Sequence, residues 1–304
     1  MRLSLTQQVQ NSLIHISNAS VRLAEAQNRA ASGKRILRAS DDVPGTARAL
    51  SLRSAISTLR QLSDNSIVSK PLLNVTDAAL SDMGSAINSV RDIAMRAANS
   101  VLTDGMRNTY LAQLDEILEG MADVANMTYM GRYMFSGTAS DTPAVEEQAG
   151  PDPYAYMGDA GIRKTQILAG VTVPVNIPGE RVFNFDQGAG PDTSDVFTMV
   201  ARVREAISSG NIDDISAELA NIDDNLSNVL TCRSQIGAWM ARLDRAQGIL
   251  ADTELRLSDL LSAEEDIDLP EAVIELQTRE NIYQAALAVS SRVLDLSLAS
   301  LRFS

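Results

Sequence analysis

The side chains that most often carry catalysis are scarce in this sequence and far apart. His15 is the only histidine and Cys232 is the only cysteine among 304 residues. A nucleophilic cysteine needs a base within hydrogen-bond reach, and a zinc site needs several histidine or cysteine ligands. We therefore predict that His15 packs or faces solvent and that Cys232 is a small buried filler. A single cysteine also rules out a disulfide within the chain.

The acidic residues occur in short runs that could suggest a metal site. The runs are Asp41-Asp42, Asp213-Asp214, Asp223-Asp224 and Glu264-Glu265-Asp266. None has the alternating spacing and turn glycine of a calcium loop, so helix caps and solvated faces explain them better. Gly188-Ala189-Gly190-Pro191 lacks the lysine of a phosphate-binding loop. The sequence therefore predicts a protein that is not an enzyme, with no catalytic residue, cofactor or metal.

The charge and the hydropathy pattern also exclude two classes of partner. The formal net charge is −13, which is unsuited to nucleic acid and to an anionic membrane surface. No apolar run approaches the length of a membrane span, and the N-terminal residues lack the apolar core of a signal peptide. We expect a protein that is cytosolic or that leaves the cell by a route that cleaves no signal.

The first forty residues carry an apolar stripe with the four-and-three spacing of a coiled-coil seam. Its large members are Leu5, Val9, Ile16 and Leu23, and its small members are Ser12, Ala19, Ala26 and Ala30. Because half of the seam is small or polar, such a helix is marginal alone and needs a partner.

The last forty residues repeat this pattern with the opposite charge. The predicted seam contains Ile282, Val289, Val293 and Leu296, with Ala286 between the first two and Ser300 after the last. Residues 1–40 hold six basic residues and one acidic residue, for a net charge of +5. Residues 264–304 hold three basic and eight acidic residues, for a net charge of −5. Two apolar seams of opposite charge predict that the ends pair with each other in a polymer.

Further helices and a contrasting middle segment lie between the ends. Apolar periodicity predicts one long helix over 51–99, which Pro71 should interrupt or bend, and another over 213–261. The middle is rich in Gly, Pro and Asp, and 163–167, 171–177 and 181–185 are predicted to be short strands. With only 4% aromatic residues, an aromatic core is not expected.

These elements predict a mainly α fold, an elongated helical bundle or coiled coil with terminal helices and a small β-rich inserted domain. We divide the chain into five parts. They are an N-terminal assembly helix (1–45), a first bundle half (46–137), the β-rich insertion (138–194), a second bundle half (195–263) and a C-terminal assembly helix (264–304).

Several segments resemble the flagellin family of bacterial flagellar subunits. Ala31-Ser32-Gly33-Lys34-Arg35-Ile36, followed by Ser40-Asp41-Asp42-Val43-Pro44-Gly45, is similar to the N-terminal signature of the family. Gly131 to Thr138 resembles its exit into the variable insertion, and Arg233 to Ala238 resembles its return helix. Leu269 to Phe303 resembles its C-terminal helix. The lysine-arginine pair and Pro44 are closer to the branch that joins the flagellar hook to the filament.

The resemblance implies a structural subunit that is exported unfolded by the flagellar type III apparatus and becomes part of the extracellular flagellum. It implies terminal helices that become ordered on assembly, and a structural role for Asp41-Asp42. The implied partners are further copies of the chain, hook-associated protein 1, flagellin and a cytoplasmic export chaperone. Two alternatives stay open at this point, namely flagellin itself and a cytoplasmic signalling coiled coil.

Overall fold

Seven helices dominate the computed structural model, which describes residues 2–99, 102–150, 152–185 and 194–302, with no side chains described for 2–6, 8 and 293–302. The helices are α1 (Arg2–Ser32), α2 (Val43–Ala98), α3 (Asp104–Ala125), α4 (Gly179–Val182), α5 (Val196–Ser209), α6 (Ile212–Glu265) and α7 (Leu269–Arg302). The predicted fold class, mainly α with terminal helices and a small β-rich middle, is confirmed.

The β structure consists of short antiparallel pairs between α3 and α4. The strands are β1 (Thr128–Tyr129), β2 (Arg132–Tyr133), β3 (Val145–Glu147), β4 (Tyr154–Tyr156), β5 (Lys164–Leu168) and β6 (Val171–Pro174). They pair as β1 with β2, β3 with β4 and β5 with β6. The strand predicted over 181–185 is wrong, because Gly179–Val182 forms a helical turn whose carbonyls accept from the following amides.

The chain divides into two compact units. Unit 1 comprises residues 1–58 and 253–304, and unit 2 comprises residues 59–252. The helices α2 and α6 each contribute residues to both units. Unit 1 contains the paired α1 and α7, whereas unit 2 contains the packed α3 and α5 and all of the strands.

Polar caps fix where the inner helices begin. The Thr103 hydroxyl accepts a hydrogen bond from the Met106 amide at the start of α3. The Asp195 carboxylate accepts from the Phe197 and Thr198 amides at the start of α5. These contacts satisfy amides that have no partner within the helix. Gly210, with φ of 73°, ends α5 in the left-handed conformation that glycine adopts without strain.

The helix α2 continues through Pro71, contrary to the predicted interruption. Proline removes the amide that would donate to the Ile67 carbonyl one turn earlier. Ile67 is exposed, so its carbonyl lies where water can serve as the donor. On the opposite side Ser69 and Leu73 are buried, and their packing holds the helix across the defect.

Unit 2 is built around an aromatic cluster, although the low aromatic content argued against one. Four of the five phenylalanines, Phe135, Phe183, Phe185 and Phe197, are joined by ring contacts with centroids 5.3–6.5 Å apart, and Tyr154 and Tyr156 extend the group. Phe197 belongs to α5, whereas the others come from the strand-rich segment. The aromatic content of the whole chain is low because the rings are concentrated in one segment.

The strand-rich segment leaves and rejoins the helices at one place. The Gly179 amide donates to the Phe135 carbonyl over 2.7 Å, and the Asn176 side-chain amide donates to the Gly137 carbonyl over 3.1 Å. Gly137 has φ of 70° and lies so close to Asp159 that a Cβ would clash with it. The start and the end of this excursion are therefore held together by direct hydrogen bonds.

Candidate assembly interface

The terminal helices pair with each other inside a single chain. Ala26 and Arg29 of α1 line one groove with Glu271 and Glu275 near the start of α7. Earlier in α1, Ala19 and Arg22 line another groove with Arg279 and Ala286. Because early positions of one helix face late positions of the other, α1 and α7 run antiparallel.

A seam with four-and-three spacing covers the facing side of each helix. On α1 the less exposed positions are the predicted Val9, Ser12, Ile16, Ala19, Leu23, Ala26 and Ala30, together with Ser20 and Arg29. On α7 they are Ala272, Glu275, Leu276, Arg279, Tyr283, Ala286 and Ser290. The many small residues allow the two helix backbones to approach closely.

The predicted C-terminal seam residues with described side chains are exposed in the single chain, and Ile282 also lines the groove with Ala19 and Arg22 of α1. Ile282 and Val289 are exposed by 47% and 59%, whereas Ala286 is half-buried and Ser290 is buried. The apolar face of α7 is wide, so more than one set of positions with four-and-three spacing fits the sequence. In the single chain the small residues occupy the seam with α1. The side chains of Leu5, Val293 and Leu296 lie outside the described residues.

Several large apolar side chains of the pair remain exposed. On α1 they are Leu13, Ile14 and Val21, and on α7 they include Ile274, Ile282, Leu287 and Val289. We call these seven residues the outer strip. Large exposed apolar surface is typical of a site that another molecule covers.

A network of ion pairs ties the α1–α2 turn to the α6–α7 junction. We call it the clasp, and it comprises Lys34, Arg35, Asp42, Arg48, Arg53, Glu264, Glu265 and Asp266. The Lys34 Nζ lies 3.1 Å from Glu265 and 2.8 Å from Asp266. Arg53 also contacts Glu265, at 2.7 Å. The Glu265 carboxylate is almost fully buried, so the two cations replace the water that it loses.

The second half of the clasp centres on Glu264. The Arg48 guanidinium donates to both oxygens of the Glu264 carboxylate, at 2.8 and 3.1 Å. Arg35 donates to the Glu264 carbonyl at 2.7 Å and to the Asp42 carboxylate at 3.1 Å. Backbone hydrogen bonds from Arg35 to Glu265 and from Ile267 to Gly33 add two further links. The network fixes the base of the terminal helix pair.

These contacts move the pKa values of the clasp groups. The Asp266 and Glu265 carboxylates accept hydrogen bonds from the Lys34 ammonium and raise the pKa of Lys34. The hydrogen bond from Arg48 lowers the pKa of Glu264, and the hydrogen bond from Lys34 lowers the pKa of Asp266. For Asp42 the Gly45 amide lowers the pKa most, and Arg35 lowers it further. Each shift favours the charged form, so the clasp is most complete near neutral pH.

The paired aspartates organise the turn that enters α2. Asp42 is the N-cap of this helix and accepts a hydrogen bond from the Gly45 amide at 2.9 Å. Asp41 accepts from the Leu37 and Arg38 amides. Gly45 is buried, and a Cβ there would meet the Asp42 carboxylate and would lie 2.9 Å from the Ile36 Cδ1. The shape of the Lys34 to Gly45 turn is therefore fixed by side-chain hydrogen bonds and by close packing at Gly45.

The sequence indicates both halves of the clasp but not their contact. The Lys34 to Gly45 segment is similar to a family motif, whereas Glu264-Glu265-Asp266 is typical of a solvated acidic run. The opposite charges of the two ends were the signal that could have joined them, but we assigned that signal only to the helices.

No arrangement suited to catalysis occurs in the described parts of the chain. Cys232 is buried, and His15 is exposed on α1. The same residues contain no group of three His, Cys, Asp or Glu side chains placed to hold a metal ion. A search of the described helices finds none long and apolar enough to cross a membrane. The clasp and the seam can hold helices together, and the outer strip offers apolar surface.

Comparisons with known proteins show a match to one protein family and to several of its members. The family models for the bacterial flagellin N-terminal and C-terminal helical regions match residues 4–140 and 219–301, which together exceed two thirds of the chain. Flagellar hook-associated protein 3 of Escherichia coli strain K12 is 23% identical, and the match covers 99% of each chain. Flagellin of Listeria innocua is 24% identical, and the match covers 89% of this chain and 88% of that protein.

Solved structures share the fold. A protein from Vibrio parahaemolyticus, described as a flagellar hook-associated protein, is similar over 74% of this chain and 100% of its own, with 25% identity and a TM-score of 0.68. Hook-associated protein 3 from Legionella pneumophila covers 70% of this chain with a TM-score of 0.63 at 17% identity. The likeness to flagellar proteins includes both terminal segments, the clasp sequence and the inner helices. The chain belongs to the bacterial flagellin family, whose members are structural proteins of the flagellum.

Proposed function

We propose that this chain is a structural subunit at the junction between the flagellar hook and filament. The observation that carries the proposal is the end-to-end likeness to flagellar hook-associated protein 3, which covers 99% of both chains in two species. The flagellin match is of similar identity but leaves about a tenth of each chain uncovered. The fold of the solved junction proteins supports the same assignment.

Assembly uses the terminal helix pair. The clasp and the intrachain seam hold α1 against α7, and the outer strip is buried against neighbouring subunits. Each large apolar side chain that becomes fully buried contributes about 1.5–3 kcal/mol. The assembly residues expected from the sequence are Leu5, Val9, Ile16, Leu23, Ile282, Val289, Val293 and Leu296, and the five with described side chains fall into two groups. Val9, Ile16 and Leu23 serve the seam within the chain, whereas Ile282 and Val289 serve contacts between chains.

The remaining properties follow from this role. The subunit is exported without a cleaved signal peptide, forms a ring with further copies of itself, and contacts hook-associated protein 1 on one side and flagellin on the other. A cytoplasmic chaperone covers its C-terminal region before export. Burial of the outer strip offsets part of the entropy lost when the termini become ordered, at about 1–2 kcal/mol per residue.

Deletion of the gene tests the junction role. We expect cells that retain hooks, lack filaments and release flagellin into the medium, as seen by electron microscopy and by blotting of the culture fluid. Complementation with Val289→Asp should fail, because the carboxylate would be buried in the subunit contact. The exposed neighbour Gln284→Asp should complement as the matched control. Cells that keep a full filament after the deletion would disprove the junction role.

Flagellin is the second candidate, because flagellins match nine tenths of the chain. Abundance separates the two candidates. A filament subunit dominates the protein of sheared flagella, whereas a junction subunit is a minor component of the same preparation. The signalling coiled coil is set aside, since the family match extends through both terminal segments.

A further inference from the structure

A two-residue hairpin turn in unit 2 holds a large apolar side chain in solvent. Met130 and Gly131 join β1 to β2, with φ of 52° and 76°. Positive φ at both positions is typical of the type I′ turn, for which Asn-Gly is the preferred sequence. Met130 is 85% exposed, more than any other large apolar side chain in the described parts of the chain. We call Tyr129, Met130, Gly131 and Arg132 the hairpin tip.

The hairpin tip differs from an ordinary surface turn in its strain and its support. A methionine with positive φ is uncommon, because its Cβ crowds the backbone. The Tyr133 amide donates to the Ser140 carbonyl over 2.9 Å. The Met134 amide donates to the Met127 carbonyl over 3.2 Å. A strained residue that the surrounding structure holds in place is typical of a functional position. Met130 is therefore presented in a fixed conformation.

A cleft between α2 and α3 of the same unit offers a matching surface. Its volume is about 800 Å³, and its apolar lining comes from Ile93 of α2 and from Ala112 and Ile117 of α3. Ile93 is buried and Ile117 is half-buried, so these two side chains form the floor. We call this cleft the α2–α3 groove. An unbranched methionine side chain is suited to such an irregular apolar site.

The charges of the hairpin tip and of the α2–α3 groove are opposite. Asp92, Arg96 and Glu116 are the charged residues of the groove lining, and two acidic and one basic residue give a net charge of −1. The hairpin tip carries one charge, that of Arg132. A methionine that enters the groove brings this guanidinium to the two carboxylates. Its planar donors match a carboxylate in a bidentate geometry.

We propose that the hairpin tip of one copy docks in the α2–α3 groove of a second copy. Met130 packs on the apolar floor, and Arg132 donates to the carboxylates at the rim. Because Met130 is exposed in the single chain, the tip does not occupy the groove of its own chain. The inference rests on the proposed function, since it requires copies that assemble side by side. It adds a contact in unit 2 to the helix contacts of unit 1.

The positions of the two surfaces determine the kind of assembly. The tip and the groove are unlike surfaces, so the contact is heterologous and continues until a ring closes or a helical array forms. The groove lies beside residues 108–117 of α3. The tip follows the end of this helix at Ala125, which is eight residues and about 12 Å beyond Ile117. This separation suits neighbours that are displaced along α3.

Substitution of Met130 provides the first test, because turn strain and docking predict opposite effects. Met130→Asn places a preferred residue in the turn, so the urea midpoint followed by Trp239 fluorescence should rise. Its incorporation into flagella, measured by blotting of sheared flagella, should fall roughly tenfold because burial of the methionine is lost. Met130→Leu retains an apolar tip and should incorporate normally. Met157→Asn changes another exposed methionine of unit 2 and is the matched control. Normal incorporation of Met130→Asn would overturn the contact.

A charge exchange within one chain provides the second test. Arg132→Glu should lower incorporation, because it places a third carboxylate at the groove. Addition of Glu116→Arg to the same chain should restore incorporation, since every contact joins the tip of one copy to the groove of the next. Lys164→Glu, at an exposed basic position of unit 2, is the matched control. The contact is wrong if the double variant incorporates no better than Arg132→Glu.

Cysteine cross-linking tests the contact without altered charges. With Met130→Cys and Ala112→Cys in one chain, oxidation of sheared flagella should produce a ladder of linked copies, whereas either substitution alone should not. The native Cys232 is buried and serves as the background. A double variant that enters flagella without forming a ladder, or that links to another flagellar protein, would overturn the contact. Absence of the native chain from flagella would instead disprove the proposed function.

Discussion

Glu265 illustrates how a single buried charge sets the geometry around it. Its carboxylate is only 5% exposed and contacts both Lys34 and Arg53. A buried carboxylate without such partners would be strongly destabilising, so the turn and the α6–α7 junction must be placed together for either to be stable. The residue therefore acts as a geometric constraint on the base of the helix pair.

Gly45 is a second position where the local structure permits one residue type. We predict that Gly45→Ala lowers the free energy of unfolding by about 1–3 kcal/mol, because the new methyl group displaces the Asp42 cap or the Ile36 side chain. Urea unfolding followed by circular dichroism measures the change. Gly248→Ala is the control, since it lies on an exposed helix face with open space, and it should stabilise by about 0.5–1 kcal/mol. Equal effects of the two substitutions would contradict the prediction.

The clasp predicts a defined loss of stability in acid. The pKa values of Asp42, Glu264 and Asp266 are lowered in the folded state. Protons therefore bind the unfolded chain first as the pH falls, and the stabilisation is complete above roughly pH 4 and declines below it. For Lys34 the folded pKa is raised, so its contribution is complete below roughly pH 10 and is lost at higher pH.

Thermal unfolding between pH 2 and pH 7 tests the acid prediction. The variant Arg35→Gln with Arg48→Gln removes the cations that lower the Glu264 pKa, and it is the control. The melting temperature of the native chain should fall more steeply below pH 4 than that of this variant. Parallel curves would show that the clasp does not control the acid response.

Among the elements, the terminal helices mark both the success and the limit of sequence reasoning. Val9, Ile16 and Leu23 of the predicted α1 seam are partly buried, and the narrow apolar stripe of this helix fits one frame. The α7 seam was predicted at Ile282 and Val289, which the structure leaves exposed. A helix that is apolar on several sides contains more than one possible seam, and only the partner selects among them. The clasp could not be predicted as a unit, because its halves are about 230 residues apart in the chain.

The aromatic cluster should dominate the stability of unit 2. Phe183 is fully buried and its ring contacts those of Phe135, Phe185 and Phe197. We predict that Phe183→Ala lowers the free energy of unfolding by about 3–5 kcal/mol through the cavity that it leaves. The midpoint of urea unfolding followed by Trp239 fluorescence measures the effect. Phe185→Ala, at a partly buried ring, should cost less, and an equal or larger loss there would contradict the argument.

At the scale of the whole molecule, the tryptophan and the terminal helices belong to different units. Trp239 is the only tryptophan and lies in unit 2, whereas the terminal helices lie in unit 1. Fluorescence therefore reports on one unit, and the helical signal in circular dichroism reports on both. The two measurements together can separate damage to the ends from damage to the centre.

We predict that Leu23→Asp reduces the helical signal and prevents incorporation into flagella but leaves the Trp239 unfolding midpoint unchanged. The carboxylate would enter the seam between α1 and α7, where the basic residue Arg279 is already paired with Glu275. Glu25→Asp, at an exposed position on the same helix, should change neither signal. A parallel fall of both signals in the Leu23→Asp monomer would refute the division of labour.

The strand-rich segment begins and ends at neighbouring points of the helical part of the chain. Hydrogen bonds join Phe135 and Gly137 to Gly179 and Asn176, so the two ends of the strand-rich segment are held at a fixed separation. The N-terminal family model stops at residue 140, just beyond these contacts, and the C-terminal one resumes at 219. Foreign peptides inserted at the exposed residues 148–150, which leave the buried Val145 and Ile167 in place, should thus be carried by the subunit without altering its helices.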